Sequence, residues 1–191
     1  MVGPDEILRF WLDECSPKQW FVQDDEFDQI IRDRFLETWV AATKGEYALW
    51  LTYPNGALAY IILTDQFPRN MFRDSGAAFS TDRAALTVAK SAIAKGWDMR
   101  IDPPARQFMY MPLEHSENLS DQDRVVRLTC ERMQDDSFLL HAQAHREVIR
   151  LFGRFPHRNV VMNRTSTASE QAYLDAGGYG AVLRGLQRNA A

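Results

Sequence analysis

The stretch "DDEFDQIIRDRFLETWVAATKG", residues 24–45, decides the fold. Its apolar residues recur at steps of three and four, which places them on one face of an α-helix; they are Phe27, Ile30, Ile31, Phe35, Trp39 and Ala42. Asp24 or Asp25 can accept hydrogen bonds from the first amides of that helix, and Gly45 suits the left-handed residue that ends it. The stretch therefore predicts one long amphipathic helix.

The same helical period continues along most of the chain, and no run of alternating apolar and polar residues predicts a strand. Further helices are expected within the stretches 54–68, 80–96, 103–112, 120–134, 136–153 and 167–178. The first should end before Pro68, the third is bounded by prolines, and Thr167 with Glu170 has the spacing of a capping box. The pattern predicts an all-α fold, a single domain of residues 1–191 with about seven to eight helices and a loosely held tail at 176–191.

Composition excludes several classes of function. The chain has 191 residues, 46% of them hydrophobic and 25% charged, with a net charge of −4, so a nucleic-acid-binding surface is not expected. No apolar run is long enough for a transmembrane helix, and the acidic N-terminal segment is unlike a signal peptide. Cys15 and Cys130 lack the spacing of a metal site. We expect a cytoplasmic protein with no cofactor or bound metal, no membrane partner, and two reduced, mostly buried thiols.

The first unusual polar stretch is "TDQFPRNMFR", residues 64–73. Asp65 and Gln66 end a helix that is apolar nearly all round and is expected to be buried, and Arg69 and Asn70 follow the proline. The simplest interpretation is a helix end stopped by proline. However, an arginine at a buried helix end can bind the last carbonyls and still meet a ligand.

The second polar stretch is "PLEHSEN", residues 112–118. A serine beside a histidine and two glutamates invites a hydrolase interpretation. Adjacent side chains diverge, however, and a nucleophilic serine needs groups that converge on it in space. We therefore expect Ser116 to cap the next helix, and we take His115 and Glu117 as candidate ligand-binding residues.

The third polar stretch is "HAQAHREVIRLFGRFPHRN", residues 141–159, in which "RFPHRN" resembles the earlier "QFPRN". His141 and His145 lie four residues apart on one helical face, and His145 should point inwards. All four histidines of the chain lie in or beside the second and third stretches, which indicates a shared site. Arginines after the helix suit a carboxylate or phosphate, and the polar residues here are Arg154, His157, Arg158, Asn159 and Arg164.

A set of blocks carries a resemblance to a known family. They are "DDEFDQIIRDRF", "LTDQFPRNMFR", "AFSTDRAAL", "QFMYMPLEHSE" and "GRFPHRNVVMNRTST". In this order they resemble the motifs of the bacterial family called domain of unknown function 924, over residues from about 6 to 175. The resemblance implies antiparallel α-hairpins in a tetratricopeptide-like arrangement and no particular reaction. It carries over as site residues Asp65, Gln66, Arg69, Asn70, His115, Ser116, Glu117, His141, His145, Arg154, His157, Arg158, Asn159 and Arg164.

The main hypothesis is a pocket for a small anionic or polar molecule, onto which the two proline-bearing turns converge. Arg69, Arg154, Arg158 and Arg164 would supply charge, and Gln66, Asn70 and Asn159 hydrogen bonds. Any proton transfer would pair His145 or His141 with Asp65 or Glu117. Alternatively the arginines only brace helix ends by binding carbonyls and the carboxylates of Asp65, Glu114 or Glu117.

Two other classes of function stay open. A helical scaffold could bind a protein or peptide through an aromatic groove formed by Trp39, Tyr47, Trp50 and Tyr53. A metal-dependent hydrolase could use His141, His145 and a carboxylate, with Glu117 and His115 as further candidates, although "HAQAH" lacks the glutamate of zinc peptidases.

Overall fold

The computed structural model describes residues 1–190, most of which are helical, with no strand among them. The all-α prediction is confirmed. The chain forms two compact units, unit 1 (Met1–Pro112) and unit 2 (Leu113–Ala191). Of the part that the structure describes, no helix has the length and apolar character needed to cross a membrane. The single-domain organisation stays a prediction.

Unit 1 contains five α-helices and the start of a sixth. Its α-helices are α1 (Pro4–Leu8), α2 (Asp25–Thr43), α3 (Pro54–Ile61), α4 (Phe67–Met71), α5 (Asp82–Ala94) and the start of α6 (Gln107–Glu114). Two π-helical segments lie at Arg9–Glu14 and Ile62–Gln66. Short 3-10 turns lie at Ala48–Thr52, Gly76–Phe79 and Trp97–Arg100.

Helix α2 has the ends that the sequence predicts. The Asp24 side chain accepts hydrogen bonds from the amides of Glu26 and Phe27. Gly45 follows the helix with a φ of 80°, a left-handed conformation that suits glycine. On the apolar face Ile31 and Phe35 are fully buried, whereas half of Ile30 is exposed at its edge.

An aromatic cluster forms the core of unit 1. The buried ring of Trp11 has its centroid 5.4 Å from that of Phe67 and 5.9 Å from that of Phe108. Phe35 lies 4.6 Å from Phe67, and the indole nitrogen of Trp20 donates to the carbonyl of Trp11 at 2.7 Å. Each such ring removes a large apolar area from water, so this cluster dominates the packing of unit 1.

The expected helix end before Pro68 is wrong, because the chain continues through it from α3 to α4. The π-helical turn Ile62–Gln66 widens the backbone just before the proline. Pro68 then lies in the first turn of α4. Backbone amides in a first turn make no hydrogen bond within the helix, so proline costs none there. In the same way α6 includes Pro112 and ends two residues later, so proline does not bound it either.

Unit 2 is built around one α-hairpin and a C-terminal helix. Its elements are α7 (Leu119–Arg132), α8 (Asp136–Phe152), a 3-10 turn (Pro156–Arg158), α9 (Ala168–Asp175) and α10 (Gly178–Ala190). Helix α8 packs against both α7 and α10. Val148, Ile149 and Phe155 form the buried core, with Phe152, Tyr173 and Val182 against them.

Local signals in unit 2 are confirmed in two places and corrected in one. Gly153 has a φ of 68° and ends α8, and Thr167 and Glu170 form the predicted capping box of α9. Ser116 is not the cap of α7. Asn118, which directly precedes the helix, accepts from the amide of Ser120, while the Ser116 hydroxyl donates to Asp121 at 2.8 Å.

Two further expectations differ from the structure. The expected loose tail includes helix α10, which packs on α8 because its apolar residues share one face. Of the two thiols, Cys15 is buried but Cys130 is exposed. Burial raises the pKa of Cys15 to about 11, with the charge of Glu14 adding to the effect, so that thiol stays protonated and unreactive.

Candidate functional site

The turn that carries the second polar stretch is held by Gln122, a residue that the sequence analysis missed. Gln122 is fully buried on α7, and its amide nitrogen lies 2.6 Å from the carbonyl oxygen of Glu114 and 2.7 Å from that of Ser116. It also reaches the carbonyl of Leu113 at 3.3 Å. One amide therefore satisfies carbonyls that the end of α6 leaves open. Gln122 lies three residues before the buried Val125, and this spacing is the sequence signal that could have predicted its burial.

Glu114, which is buried, forms a pair with His145, which is partly buried. The carboxylate of Glu114 is only 3% exposed, and its Oε1 lies 2.5 Å from His145 Nδ1. The same nitrogen lies 3.1 Å from the carbonyl oxygen of His141, one turn earlier on α8. The second oxygen, Glu114 Oε2, is buried and has no hydrogen-bond partner among residues 1–190.

The charge on Glu114 is maintained by the histidines around it. Burial acts to raise the pKa of this carboxyl. The charge and hydrogen bond of His145, and then the charges of His115 and His141, lower the pKa by more than burial raises it. The net direction is below the ordinary value, so Glu114 is ionised at neutral pH.

Aromatic rings surround His145. Its ring is edge-on to Phe155 and to His115, with centroids 5.5 Å and 6.4 Å away, and it lies 4.7 Å from the ring of Tyr179 on α10. The Tyr179 hydroxyl is 2.6 Å from His141 Nδ1. We call Glu114, His115, His141, His145, Phe155 and Tyr179 the histidine cluster. Burial, and then the charge of Glu114, raise the pKa of Tyr179.

The fourth histidine lies beside this cluster. The ring centroid of His157 is 5.6 Å from that of Phe155, and the guanidinium of Arg158 lies over the same Phe155 ring at 4.6 Å. His157 is exposed over part of its surface. Nevertheless the surrounding protein atoms, and then the charge of Arg158, lower the pKa of this imidazole. The four histidines that the sequence analysis singled out therefore lie in or beside one cluster.

Two of the arginines expected to bind a ligand are bonded to carboxylates of unit 2. Arg164 donates to both oxygens of Glu117, at 2.6 and 2.9 Å, and also to the carbonyl of Phe155. Arg154 donates to both oxygens of Glu170, at 2.5 and 2.8 Å. The Arg164–Glu117 contact is one that the bracing alternative named, whereas Arg154 binds Glu170, an acid that the alternative did not name. The proton-transfer partner expected for His145 also differs, since Glu117 binds Arg164 and Glu114 binds the histidine.

Asn159 is the last polar residue of this segment. It is fully buried, and its amide nitrogen donates to the Ser166 hydroxyl at 3.0 Å. Its Oδ1 has no hydrogen-bond partner within the described chain. Asn159 therefore braces the loop that leads to α9 through one of its two polar atoms.

The Arg154–Glu170 pair makes stability sensitive to acid. Hydrogen bonds from Arg154, and then from the Thr167 amide, lower the pKa of Glu170 to about 2. In the unfolded chain this carboxyl titrates near its ordinary value of 4.5. The folded state therefore binds fewer protons than the unfolded state between these values, so the stabilisation is complete above pH about 4.5 and is lost as the pH falls towards 2.

We expect the urea midpoints of wild type and Glu170→Gln to differ most near neutral pH and to converge as the pH approaches about 2. Far-ultraviolet circular dichroism across a pH series measures both midpoints. A difference that is the same at every pH would show that the ionisation of Glu170 contributes nothing.

The polar residues of the first stretch have partners within unit 1. Arg69 donates to both oxygens of Asp82, at 2.9 and 3.0 Å, and its Nη1 lies 3.4 Å from Asp65 Oδ1. Gln66 donates to the buried Asp65 at 2.5 Å. The acids that bind here, Asp28 and Asp82, were not predicted, although each lies in the first turn of a helix.

Asn70 completes this network by donating to Asp28 at 2.7 Å, and Arg73 binds the same carboxylate. Two expectations stay predictions. One is the convergence of the two proline-bearing turns, and the other is ligand contact by Asp65, Gln66, Arg69 and Asn70. Within residues 1–190, no three or more His, Cys, Asp or Glu side chains are grouped so that they could hold a metal ion.

Comparison with known proteins agrees with the family resemblance. The model of the family described as "Bacterial protein of unknown function (DUF924)" matches residues 7–178. A solved structure of a protein of unknown function from Agrobacterium tumefaciens is similar, with a TM-score of 0.85 and 37% sequence identity over 90% of this chain and 96% of that one. No curated protein matches the chain.

Proposed function

Because the chain belongs to DUF924, a family of bacterial proteins of unknown function, we propose its function from the geometry of unit 2: it binds a small polar molecule at the histidine cluster. The observation that carries the proposal is the Glu114 carboxylate, which is buried and charged while one of its oxygens has no donor in the described chain. A buried carboxylate with an unpaired oxygen destabilises the folded state. Destabilising groups of this kind are typical of functional sites.

The bracing carboxylates of unit 2 provide the contrast. Glu117 accepts from Arg164 on both oxygens and from the amide of Phe155, and Glu170 accepts from Arg154 on both oxygens. Carboxylates that serve the fold are thus saturated with donors. Among residues 1–190, Glu114 has a single donor side chain, His145. This difference separates it from the structural acids.

The ligand should be neutral or carry a single negative charge. Arg154 and Arg164 are already bonded to Glu170 and Glu117, so their charges are largely compensated. The guanidinium of Arg158 lies over Phe155 at the edge of the cluster, 4.6 Å from the centroid of that ring. The side chain of His145 is 19% exposed, which lets a molecule reach its ring. A cytoplasmic location and a tetratricopeptide-like arrangement are compatible with this proposal and form part of it.

Calorimetry with panels of hydroxylated, carboxylated and phosphorylated metabolites tests the proposal. We expect at least one compound to bind the wild-type protein and to lose about tenfold in affinity, about 1.4 kcal/mol, on Glu114→Gln. Glu147→Gln is the matched control, since Glu147 also belongs to unit 2 but forms its ion pair with the exposed Arg150. The proposal fails if no compound binds, or if Glu114→Gln and Arg158→Ala bind every compound as the wild type does.

We keep protein or peptide binding by unit 1 as a second proposal. In the segment predicted to form an aromatic groove, Tyr47 and Trp50 stack at 4.1 Å, and the neighbouring Leu49 and Tyr53 are 79% and 40% exposed. Trp39 is less accessible, because its indole donates to Thr81 and packs on Phe72. Pull-down with wild type and Leu49→Ser is the test, and recovery of the same proteins by both would contradict it.

A further inference from the structure

We propose that His145 is a general base, with Glu114 as the residue that positions it and Nε2 as the atom that accepts the proton. The inference rests on the proposed ligand site and deepens it, since it assigns a chemical role to the cluster. Its basis is the geometry around the two ring nitrogens of His145.

The contacts of Nδ1 determine the tautomer. Nδ1 lies 2.5 Å from Glu114 Oε1 and 3.1 Å from the carbonyl oxygen of His141. Both of these oxygens are acceptors, so the nitrogen between them must carry the hydrogen. In the neutral ring the lone pair is then on Nε2, for which the described chain offers no hydrogen-bond partner. That nitrogen is the basic atom of the ring.

The buried carboxylate faces the charge that forms on this base. When Nε2 gains a proton, the positive charge of the imidazolium forms 2.5 Å from a negative oxygen in a poorly solvated environment. Within the described residues no arginine is bonded to Glu114, so its carboxylate faces the ring of His145 and not a guanidinium group. Glu117, by contrast, is bonded to Arg164 through both oxygens and could not support a base in this way.

Every element around His145 contributes a defined group. The end of α6 supplies Glu114 and His115, α8 supplies His141, and α10 supplies Tyr179. The segment after α8 supplies Phe155, beyond which lie Arg158, His157 and the Glu117–Arg164 pair. The Tyr179 hydroxyl is held by His141 Nδ1, so it does not occupy the base.

The step itself is a single proton transfer. The O–H bond of a hydroxyl group in the ligand breaks, the electron pair stays on that oxygen, and the N–H bond forms at Nε2. The hydrogen on Nδ1 remains shared with Glu114. No oxidant or reductant takes part, and the proton can later return to the product. The substrate class is a neutral or singly anionic molecule with an ionisable hydroxyl group.

Nitrogen-15 NMR of the full chain tests the tautomer without any variant. We expect the neutral ring of His145 to carry its hydrogen on Nδ1. The same pattern should persist in Glu114→Gln, because the glutamine amide oxygen can accept the same hydrogen bond. A neutral ring with its hydrogen on Nε2 in the wild-type protein would overturn the proposal.

Acylation by diethyl pyrocarbonate measures the basicity of Nε2. The lone pair attacks a carbonyl carbon, ethyl carbonate leaves as the anhydride C–O bond breaks, and the Nδ1 hydrogen passes to Glu114 or water. We expect the plateau rate at His145, mapped by mass spectrometry over a pH series, to fall about tenfold in Glu114→Gln and to be unchanged in Glu147→Gln. Equal rates in wild type and Glu114→Gln would overturn the role of Glu114.

The two proposals fail separately. If calorimetry finds a ligand that depends on Glu114 but the NMR tautomer or the acylation rate is not as expected, the site binds and His145 is not its base. If His145 behaves as expected and no compound binds, the ligand proposal is wrong.

Discussion

Glu117→Ala should lower the free energy of unfolding by about 3 kcal/mol, because it breaks a partly buried pair and removes the carboxylate that two donor groups of the fold share. Glu117 accepts from both terminal nitrogens of Arg164 and from the amide of Phe155 at 2.8 Å. Phe155 is almost completely buried, so its amide cannot turn to water once the carboxylate is gone. Arg164 would keep only its bond to the Phe155 carbonyl.

Burial and Arg164 act against each other on this carboxyl. Burial raises the pKa of Glu117, but the hydrogen bond and charge of Arg164 and the amide of Phe155 lower it further, so the net pKa is below the ordinary value. The folded state therefore stabilises the charged form, which is the form that alanine removes.

Urea unfolding followed by circular dichroism measures the loss, and Glu147→Ala is the control. The Glu147–Arg150 pair has a similar geometry, 2.6 Å, but Arg150 is well exposed, so its loss should change stability by no more than about 0.5 kcal/mol. If both variants lose the same amount, the contacts around Glu117 are not a stabilising network and the bracing interpretation is wrong.

Gly56→Ala should lower stability by about 2 to 3 kcal/mol, although alanine is normally the better helix residue. Gly56 is buried in the first turn of α3. A Cβ at this position would lie 2.3 Å from the carbonyl oxygen and 2.9 Å from the Cα of Trp50. Both atoms belong to the backbone, which cannot move aside as the end of a flexible side chain can. The clash therefore outweighs the propensity gain.

Gly185→Ala is the matched control for helix propensity. Gly185 lies within α10, and a Cβ there meets nothing within 4 Å. We expect that variant to gain up to about 1 kcal/mol, so the two glycine substitutions should change the urea midpoint in opposite directions. A Gly56→Ala protein as stable as the wild type would show that α3 and the Ala48–Thr52 turn are not in such close contact.

Sequence-based prediction succeeded where the physical cause is local. Asp24 caps α2, Gly153 ends α8, and Thr167 with Glu170 forms a capping box, and each of these depends on residues within about four positions. Helical periodicity has the same range. The all-α fold follows from such signals, whereas the family follows from the resemblance of the quoted motif blocks.

Sequence-based prediction was wrong where a neighbouring turn changed the local rule. Pro68 does not stop its helix, because the π-helical turn before it makes the missing amide hydrogen harmless. Ser116 is not a cap, because Asn118 stands closer to the helix start. The apolar face of α10 was hidden by a glycine-rich start that resembles a flexible tail.

By itself, the amino-acid sequence determined the all-α fold, helices α2, α5, α7, α8 and α9, and the concentration of histidines and arginines in three short stretches. Tertiary structure alone decided which acid meets which base. His145 binds Glu114 rather than Glu117, and Arg164 takes Glu117 across 47 residues of chain. The physical reason is range: caps and helical periods act between near neighbours in sequence, whereas an ion pair forms only where packed helices place two side chains within a few ångströms.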